Sequence, residues 1–417
     1  MPLAHSNKKR TVLFLSNGHG EDLITTTIIK KLFEECSYLS IRALPLVGEG
    51  KAYDEVDIKV LGPRKMMPSS GFVGFSPLWL ARDIASGWLR VFKQQIDALR
   101  AERTRVNVIV CVGDIFLVLL SVLFVKKPII FLPTAKSSYT RKFKDHYRIE
   151  KWLMRCFCEL VLPRDELTTS SLKKFGIKAI YIGNVMMDCL EISGENFGIK
   201  PDRYVVGILP GSKKEAYDNL PAILDAVAAI NKRFLCFKSF LSKKVDFLLA
   251  LAPSLSLDEL AMAASRGNNW TLKESTLAEK KRGMVAHLIS SEGSQIKIIQ
   301  GKFGDVLHSS QVIIGLTGTG NEQAVGLGSP VVSFPGKGPL ITKKFLHIQR
   351  LLLGEAISIV EARGEAVAKE VYSILTHPEE KKKALKVGKE RMGGFGAATL
   401  AAKLIKKKIR EIQGKRI

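Results

Sequence analysis

Short apolar runs of strand length alternate with segments of helical period almost from one end of the chain to the other, in two successive series. The first series is TVLFLS (11–16), IRALPLV (41–47), VNVIVCVG (106–113), PIIFLP (128–133), LVLP (160–163) and AIYIGN (179–184). The second is YVVGILPG (204–211), VDFLLALA (245–252), IKIIQ (296–300), QVIIGLTG (311–318) and PVVSFPG (330–336). Near-continuous apolar strands spaced by helices fit parallel sheets, since a parallel strand needs a long crossover and is buried on both faces. The expected class is α/β, two doubly wound domains facing a cleft. At 417 residues the chain also exceeds what one core usually supports. The expected boundaries are 1–190, 191–385 and a basic C-terminal helix over 386–417 that packs back on the body.

Charge narrows the partners without choosing one. The 64 Lys and Arg against 40 Asp and Glu give +24, which favours nucleic acid, an anionic bilayer or phosphorylated substrates. From Lys381 to Ile417 there are 13 basic residues and 2 acids, with Leu400, Leu404, Ile405, Ile409 and Ile412 at helical spacing. That pattern reads first as a helix laying its apolar stripe on the body, and second as a membrane-surface element. No RNP, KH or zinc-finger pattern accompanies the charge, so no nucleic-acid partner is expected. The scattered cysteines show no paired CxxC and read as reduced core residues. The longest apolar run, 115–125, is too short to span a bilayer, which needs about 20 residues. The expected location is cytoplasmic, with a peripheral position on the inner membrane face as an option.

Four strand ends carry residues suited to chemistry, and ligands bind at the carboxyl ends of parallel strands. In GLTGTGNEQAVGLG (315–328) a buried strand runs into a helix through Thr317, Gly318, Thr319, Gly320 and Asn321. A helix N-terminus leaves about four N–H groups unpaired beside a partial positive charge, so a phosphate fits there. Glu322 and Gln323 follow in the first turn, where Glu322 is placed to accept from ribose hydroxyls; a plain cap by Thr319 or Asn321 is the alternative. ILPGSKKEA repeats the design with Gly211, Ser212 and Lys213, and two such loops at adjacent strand ends suit a diphosphate. In the first series, LSNGHGEDL offers Asn17, Gly18, His19, Gly20, Glu21 and Asp22. Histidine is a common general base, and His19 or a neighbouring carboxylate could serve as one here. Asn17 as a cap and the acids as dipole partners are equally open. Asp114 stands at the end of VNVIVCVG, where a carboxylate beside an apolar helix must be paired or used.

Several motifs are excluded. SNGHGEDL has Leu23 where a dinucleotide fingerprint has its third glycine, and PGKGP (335–339) lacks the hydroxyl residue that follows the P-loop lysine. No DxD, HExxH or GxSxG occurs, so metal-held diphosphate and nucleophile-elbow chemistry lose support. Phosphate binding is expected without a metal or cofactor.

At these residues the chain resembles the lipid-A-disaccharide synthase superfamily of GT-B glycosyltransferases, and within it the branch associated with cyanobacteria and plastids. The resemblance rests on SNGHGED, LPLVGEG, MMPSSGF, VGD, LPRDELT, GNVMMD, LPGSKKEA and GTGNEQAVGLGSPVVSFPGKGP in that order, over residues 11–400. It implies two Rossmann-like domains and transfer of a sugar from a UDP-sugar to a lipid-type or sugar-phosphate acceptor, with inversion and without metal. By position, Glu322 would bind the uridine ribose, and 317–321 with Gly211 and Ser212 would hold the diphosphate. Asp114 would match the first-domain carboxylate, and His19 would sit in the acceptor-side loop. The synthases carry Arg where Lys213 stands, and a lysine cannot form the same planar two-pronged phosphate contact. The rival expectations are a UDP-sugar 2-epimerase and a non-catalytic nucleotide-sugar or lipid binder.

Overall fold

The computed structural model describes residues 10–36, 38–65, 87–143, 145–236, 244–266 and 270–414. The MMPSSGF segment (66–72) lies outside them. The chain divides into two compact units, Met1–Cys189 with Gly394–Ile417, and Leu190–Gly393.

The first unit holds β1 (Arg10–Ser16), α1 (His19–Glu35), β2 (Leu39–Pro45), β3 (Lys59–Val60), α2 (Trp88–Glu102), β4 (Val108–Gly113), α3 (Ile115–Leu120), β5 (Ile129–Pro133), α4 (Arg148–Phe157), β6 (Cys158–Val161) and α5 (Glu166–Lys174). Its six strands run β3-β2-β1-β4-β5-β6, all parallel, with Val12 opposite Val108 and Arg10 opposite Leu39. The central strands β1, β4 and β5 are buried almost throughout, as a sheet covered on both faces requires. A single turn of π-helix, Ser121–Val125, extends α3. The strand expected over 179–184 does not form: only Ala179 bridges to Val161, and the rest is irregular. The backbone there turns at Gly183, where φ is +91°, a region β-strands do not use.

The second unit holds β7 (Tyr204–Leu209), α6 (Glu215–Cys236), β8 (Val245–Leu251), α7 (Leu257–Ser265), β9 (Trp270–Glu274), α8 (Leu277–Lys281), β10 (Met284–Ser290), β11 (Gln295–Gln300), α9 (Phe303–Ser309), β12 (Val312–Gly315), α10 (Thr319–Gly326), β13 (Val331–Ser333), α11 (Lys343–Leu353), β14 (Ile357–Ile359), α12 (Gly364–Thr376) and α13 (Pro378–Arg391). The eight strands run β14-β13-β12-β7-β8-β11-β10-β9. Six are parallel, whereas β9 and β10 form an antiparallel edge on β11 that the strand series above omits. Its signal is local: SEGS (291–294) between VAHLIS and QIKII is a glycine hairpin, closed by Ser290 N–H donating to Ser294 O and with Gly293 at φ +82°.

The last helix, α14 (Ala397–Gly414), belongs to the first unit and packs on α1. Ala401, Ala402, Ile405 and Ile409 are buried, and Lys406 Nζ donates to Glu35 O and Oε2 at 2.9 and 3.0 Å. The Asp188 carboxylate accepts from the Gly396 and Ala398 amides and fixes its start. Residues 386–391 end α13 instead of opening the tail helix. Among the described residues no helix is long and apolar enough to cross a membrane.

Candidate functional site

In an open parallel sheet the crevice lies where strand order reverses, because the loops leaving two adjacent strands there turn to opposite faces. The first unit reverses between β1 and β4, and the second between β7 and β12. These two points carry the loops singled out from sequence.

In the first unit β1 ends at Ser16, and α1 begins at His19 with Gly18 in extended conformation. Gly20, Glu21 and Asp22 thus lie in the first helical turn, not in the loop. The Asn17 amide lies over Gly113, where any Cβ would meet its Oδ1 at 1.9 Å, and it hydrogen-bonds the Asp114 carboxylate. Asp114 also caps α3, accepting from Phe116 N–H at 2.9 Å. Burial pushes its carboxyl above the usual range, against those hydrogen bonds and nearby Lys136; Glu150 adds to the rise. Glu21 accepts from Thr134 Oγ1 at 2.8 Å and covers Gly18. The exposed His19 ring rests on Gly48, whose φ of +78° excludes most side chains and whose Cβ would collide with the imidazole.

Asp22 points the other way. It is 1% exposed and accepts from Ser16 Oγ at 2.5 Å, while the Tyr53 hydroxyl lies 2.7 Å from the same oxygen. Ser16 has one proton and gives it to the carboxylate, so Tyr53 donates to Ser16 and the three form a buried chain. Burial raises the Asp22 carboxyl to about 7, the Ser16 bond opposing and Glu21 assisting. Tyr53 and Ser16 carry no sequence mark of this role.

In the second unit Gly211 follows β7 at φ +111°, with Leu316 O 3.5 Å from where its Cβ would lie, so the two loops touch. Ser212 and Lys213 are exposed at this edge, and crowding around Lys213 lowers its ammonium below the ordinary lysine value, with Glu215 opposing. The turn after β12 is short: α10 begins at Thr319 with Gly318 as its N-cap and no capping side chain. Thr317 Oγ1 accepts from Asn321 N–H at 3.1 Å. Thr319 and Gly320 keep first-turn amides that helix geometry leaves without an internal acceptor. Asn321, grouped above with the phosphate-facing residues, is instead fully buried and donates to Gly315 O and Gln349 Oε1. Gln323 is also buried, while Glu322 is half-buried at the first turn.

Gln349 of α11 is the functional residue sequence reasoning missed. Its Nε2 donates to Thr317 O at 3.0 Å and Gly318 O at 3.1 Å, so one buried amide holds three points of the turn. The signal was a glutamine on the buried stripe of KKFLHIQRLLL, beside Leu346, Leu352 and Leu353. Gln349→Leu removes these bonds while keeping the bulk, and leaves the Asn321 amide and Thr317 O underbonded. A loss of about 2 kcal/mol by urea denaturation is expected, at roughly 1 kcal/mol each for the Asn321 amide and Thr317 O, since Gly318 O still accepts from Glu322 N–H.

No family model matches the sequence. Among curated proteins, the chain is 24% identical over 254 residues to the lipid-A-disaccharide synthase of Trichlorobacter lovleyi, covering 55% of this chain and 57% of that protein. It is 24% identical over 346 residues to that of Solibacter usitatus, covering 77% and 80%. The chain thus spans little more than half the length of the first of these relatives. Among solved structures, the UDP-GlcNAc 2-epimerase from Neisseria meningitidis bound to UDP-GlcNAc aligns with TM-score 0.54 at 15% identity, covering 96% of this chain and 100% of that one. The calicheamicin glycosyltransferase CalG4 aligns with TM-score 0.59 at 12% identity, covering 96% and 98%. The chain is therefore similar in sequence to lipid-A-disaccharide synthases and has the fold of two Rossmann-like domains seen in GT-B glycosyltransferases and UDP-GlcNAc 2-epimerases.

Proposed function

We propose that the protein is a glycosyltransferase that moves a sugar from a UDP-sugar to a lipid-type or sugar-phosphate acceptor, with inversion and without a metal. The observation that carries this reading is the pair of touching loops at the β7/β12 reversal. Gly211–Lys213 and Thr317–Gly320 bring exposed backbone, a lysine and two helix-start amides to one edge, and Gln349 holds the second loop from behind. Such fixed donors stabilise the charge that develops on departing UDP by about 3 kcal/mol per well-placed group. Lys213 supplies a point charge in place of the planar arginine of the synthases. In the step itself the acceptor oxygen bonds to the anomeric carbon as the bond to UDP breaks. The acceptor proton goes to His19, whose ring is exposed, or to Asp114. Glu21 and Asp22 are bound to Thr134 and Ser16 and shape the loop.

Incubation with a panel of UDP-sugars and a lipid extract tests the activity: free UDP and a new glycolipid mass are expected. A 2-epimerase, which the fold likeness also supports, would instead convert the sugar nucleotide with no acceptor present. Free sugar nucleotide left untouched under all conditions would indicate a binding protein. Glu322→Ala is expected to weaken UDP at least about tenfold by calorimetry, the loss of a charge-assisted hydrogen bond of roughly 1.5–3 kcal/mol. Unchanged affinity would remove Glu322 from the nucleotide site.

A further inference from the structure

Helix α4 turns two charged residues inward, Glu150 and Lys151, a placement that folding in water does not favour. Lys151 is answered by Asp145, 3.6 Å away, and by Ser171 Oγ at 3.4 Å. Glu150 does more than its helix requires. Its Oε2 accepts from Tyr147 N–H at 3.1 Å and caps α4, which uses one oxygen. The other, Oε1, lies 2.6 Å from Lys136 Nζ, and that ammonium also sits 4.1 Å from the centre of the Tyr147 ring. Burial opposes the charge on Glu150, yet His146, with Nδ1 3.4 Å from Oε2, and Lys136 hold the carboxyl down to about 2, so it stays ionised. Replacing a buried ion pair by apolar residues of similar size is often neutral, so stability does not account for this one.

The pair stands beside Asp114. Thr134 N–H donates to Gly113 O at 3.1 Å, which sets the loop bearing Lys136 along the residue before Asp114, and α3, which Asp114 caps, packs on α4. After burial and the bonds from Phe116 N–H and Asn17, the charges acting on the Asp114 carboxyl are Glu150, which raises it, and Lys136, which lowers it. The other charged groups on these elements are engaged elsewhere: Glu21 with Thr134, Asp145 with Lys151. We propose that the Glu150–Lys136 pair is a positioning device for proton transfer that sets how strongly Asp114 holds the acceptor's proton. It rests on the reading of Asp114 as the group that takes that proton. Glu150 makes the carboxylate a stronger base, and Lys136, tethered to Glu150, limits the gain so that Asp114 remains ionised. A base works best when its proton affinity lies near the working pH, and a carboxyl at its ordinary value falls well below that.

The test is titration of the Asp114 carboxyl by carbon-13 NMR in the full chain, beside the pH profile of UDP release from UDP-GlcNAc with a lipid extract. Glu150→Gln keeps the bulk and one acceptor oxygen; it should move the Asp114 titration and the acid limb of the profile at least about half a pH unit lower, about threefold in proton affinity. Lys136→Met should move both upward by a similar amount. Lys136→Arg, which keeps the charge, should restore the wild-type titration. Should Glu150→Gln fail to fold, as judged by circular dichroism, the two Lys136 variants carry the test. An Asp114 titration that stays fixed, or moves the same way in both charge-removing variants, would overturn the proposal, and so would an acid limb that stays in place while the titration moves. Opposite shifts in a protein that releases no UDP would support the pairing and count against sugar transfer, so the two readings fail separately.

Discussion

Asp305→Ala is expected to lower stability by about 3 kcal/mol, measured by urea denaturation. Asp305 is 1% exposed in the first turn of α9, and its carboxylate accepts four hydrogen bonds: from Ser193 N–H and Gly194 N–H at 2.8 Å, from Glu195 N–H at 3.2 Å and from Ser193 Oγ at 2.8 Å. These donors belong to the stretch by which the chain enters the second unit. Hydrogen bonds to a charged group contribute roughly 1.5–3 kcal/mol each where water cannot replace it. Ser193 and Gly194 are exposed, so water recovers part of the loss, and the smaller figure follows. Asp305→Asn keeps one acceptor oxygen and should fall about midway. Gly304 adds a control, because its Cβ would meet Glu191 O at 2.2 Å: Gly304→Ala should destabilise by steric contact with the carboxylate intact. An alanine variant at 305 as stable as wild type would show that the entry segment is held by other contacts.

The legible parts of this protein were those encoded locally. Parallel strands such as TVLFLS and VNVIVCV announce themselves as unbroken apolar runs, and the glycines at 18, 113, 211 and 315 mark strand ends where the chain must turn closely. Short or amphipathic edge strands did not: β3 has two residues, β14 has three, and β9 exposes Thr271, Lys273 and Glu274. The run 179–184 misled because apolar residues bordering a core in irregular backbone look like a strand. At the site, sequence placed the loops but not their braces. In one dimension a cap, a ligand contact and a brace look alike, so Asn321 reads as phosphate-facing, and Gln349 lies 28 positions from its partner. Helix α4 shows the limit most plainly. RIEKWLMRCF has helical period, but which side faces inward is decided by Lys136 and Asp145 on neighbouring segments.

The second large effect is on pH dependence, through Asp22. Its folded carboxyl titrates near 7 and its ordinary value is 3.8, so between these values the folded state binds more protons than the unfolded state. Stability therefore falls as pH rises across that window and levels off above it. A tenfold difference in proton affinity between the two states corresponds to about 1.4 kcal/mol. Between pH 5 and pH 8 the wild type should thus lose roughly 2–3 kcal/mol relative to Asp22→Asn, which keeps an acceptor for Ser16 Oγ and has no proton to release. The cause is burial of a charge beneath α1, where the Ser16 hydroxyl, 2.5 Å away and backed by Tyr53, compensates only in part. Tyr53→Phe removes that backing and should steepen the wild-type slope, since Ser16 then donates to the carboxylate without a donor behind it. Parallel stability curves for wild type and Asp22→Asn from pH 5 to 8 would mean that the carboxylate ionises in the fold as easily as in water. In that case the Asp22–Ser16–Tyr53 chain would be solvated and the loop bearing Gly18 and His19 would rest on Gly48 and Thr134 alone.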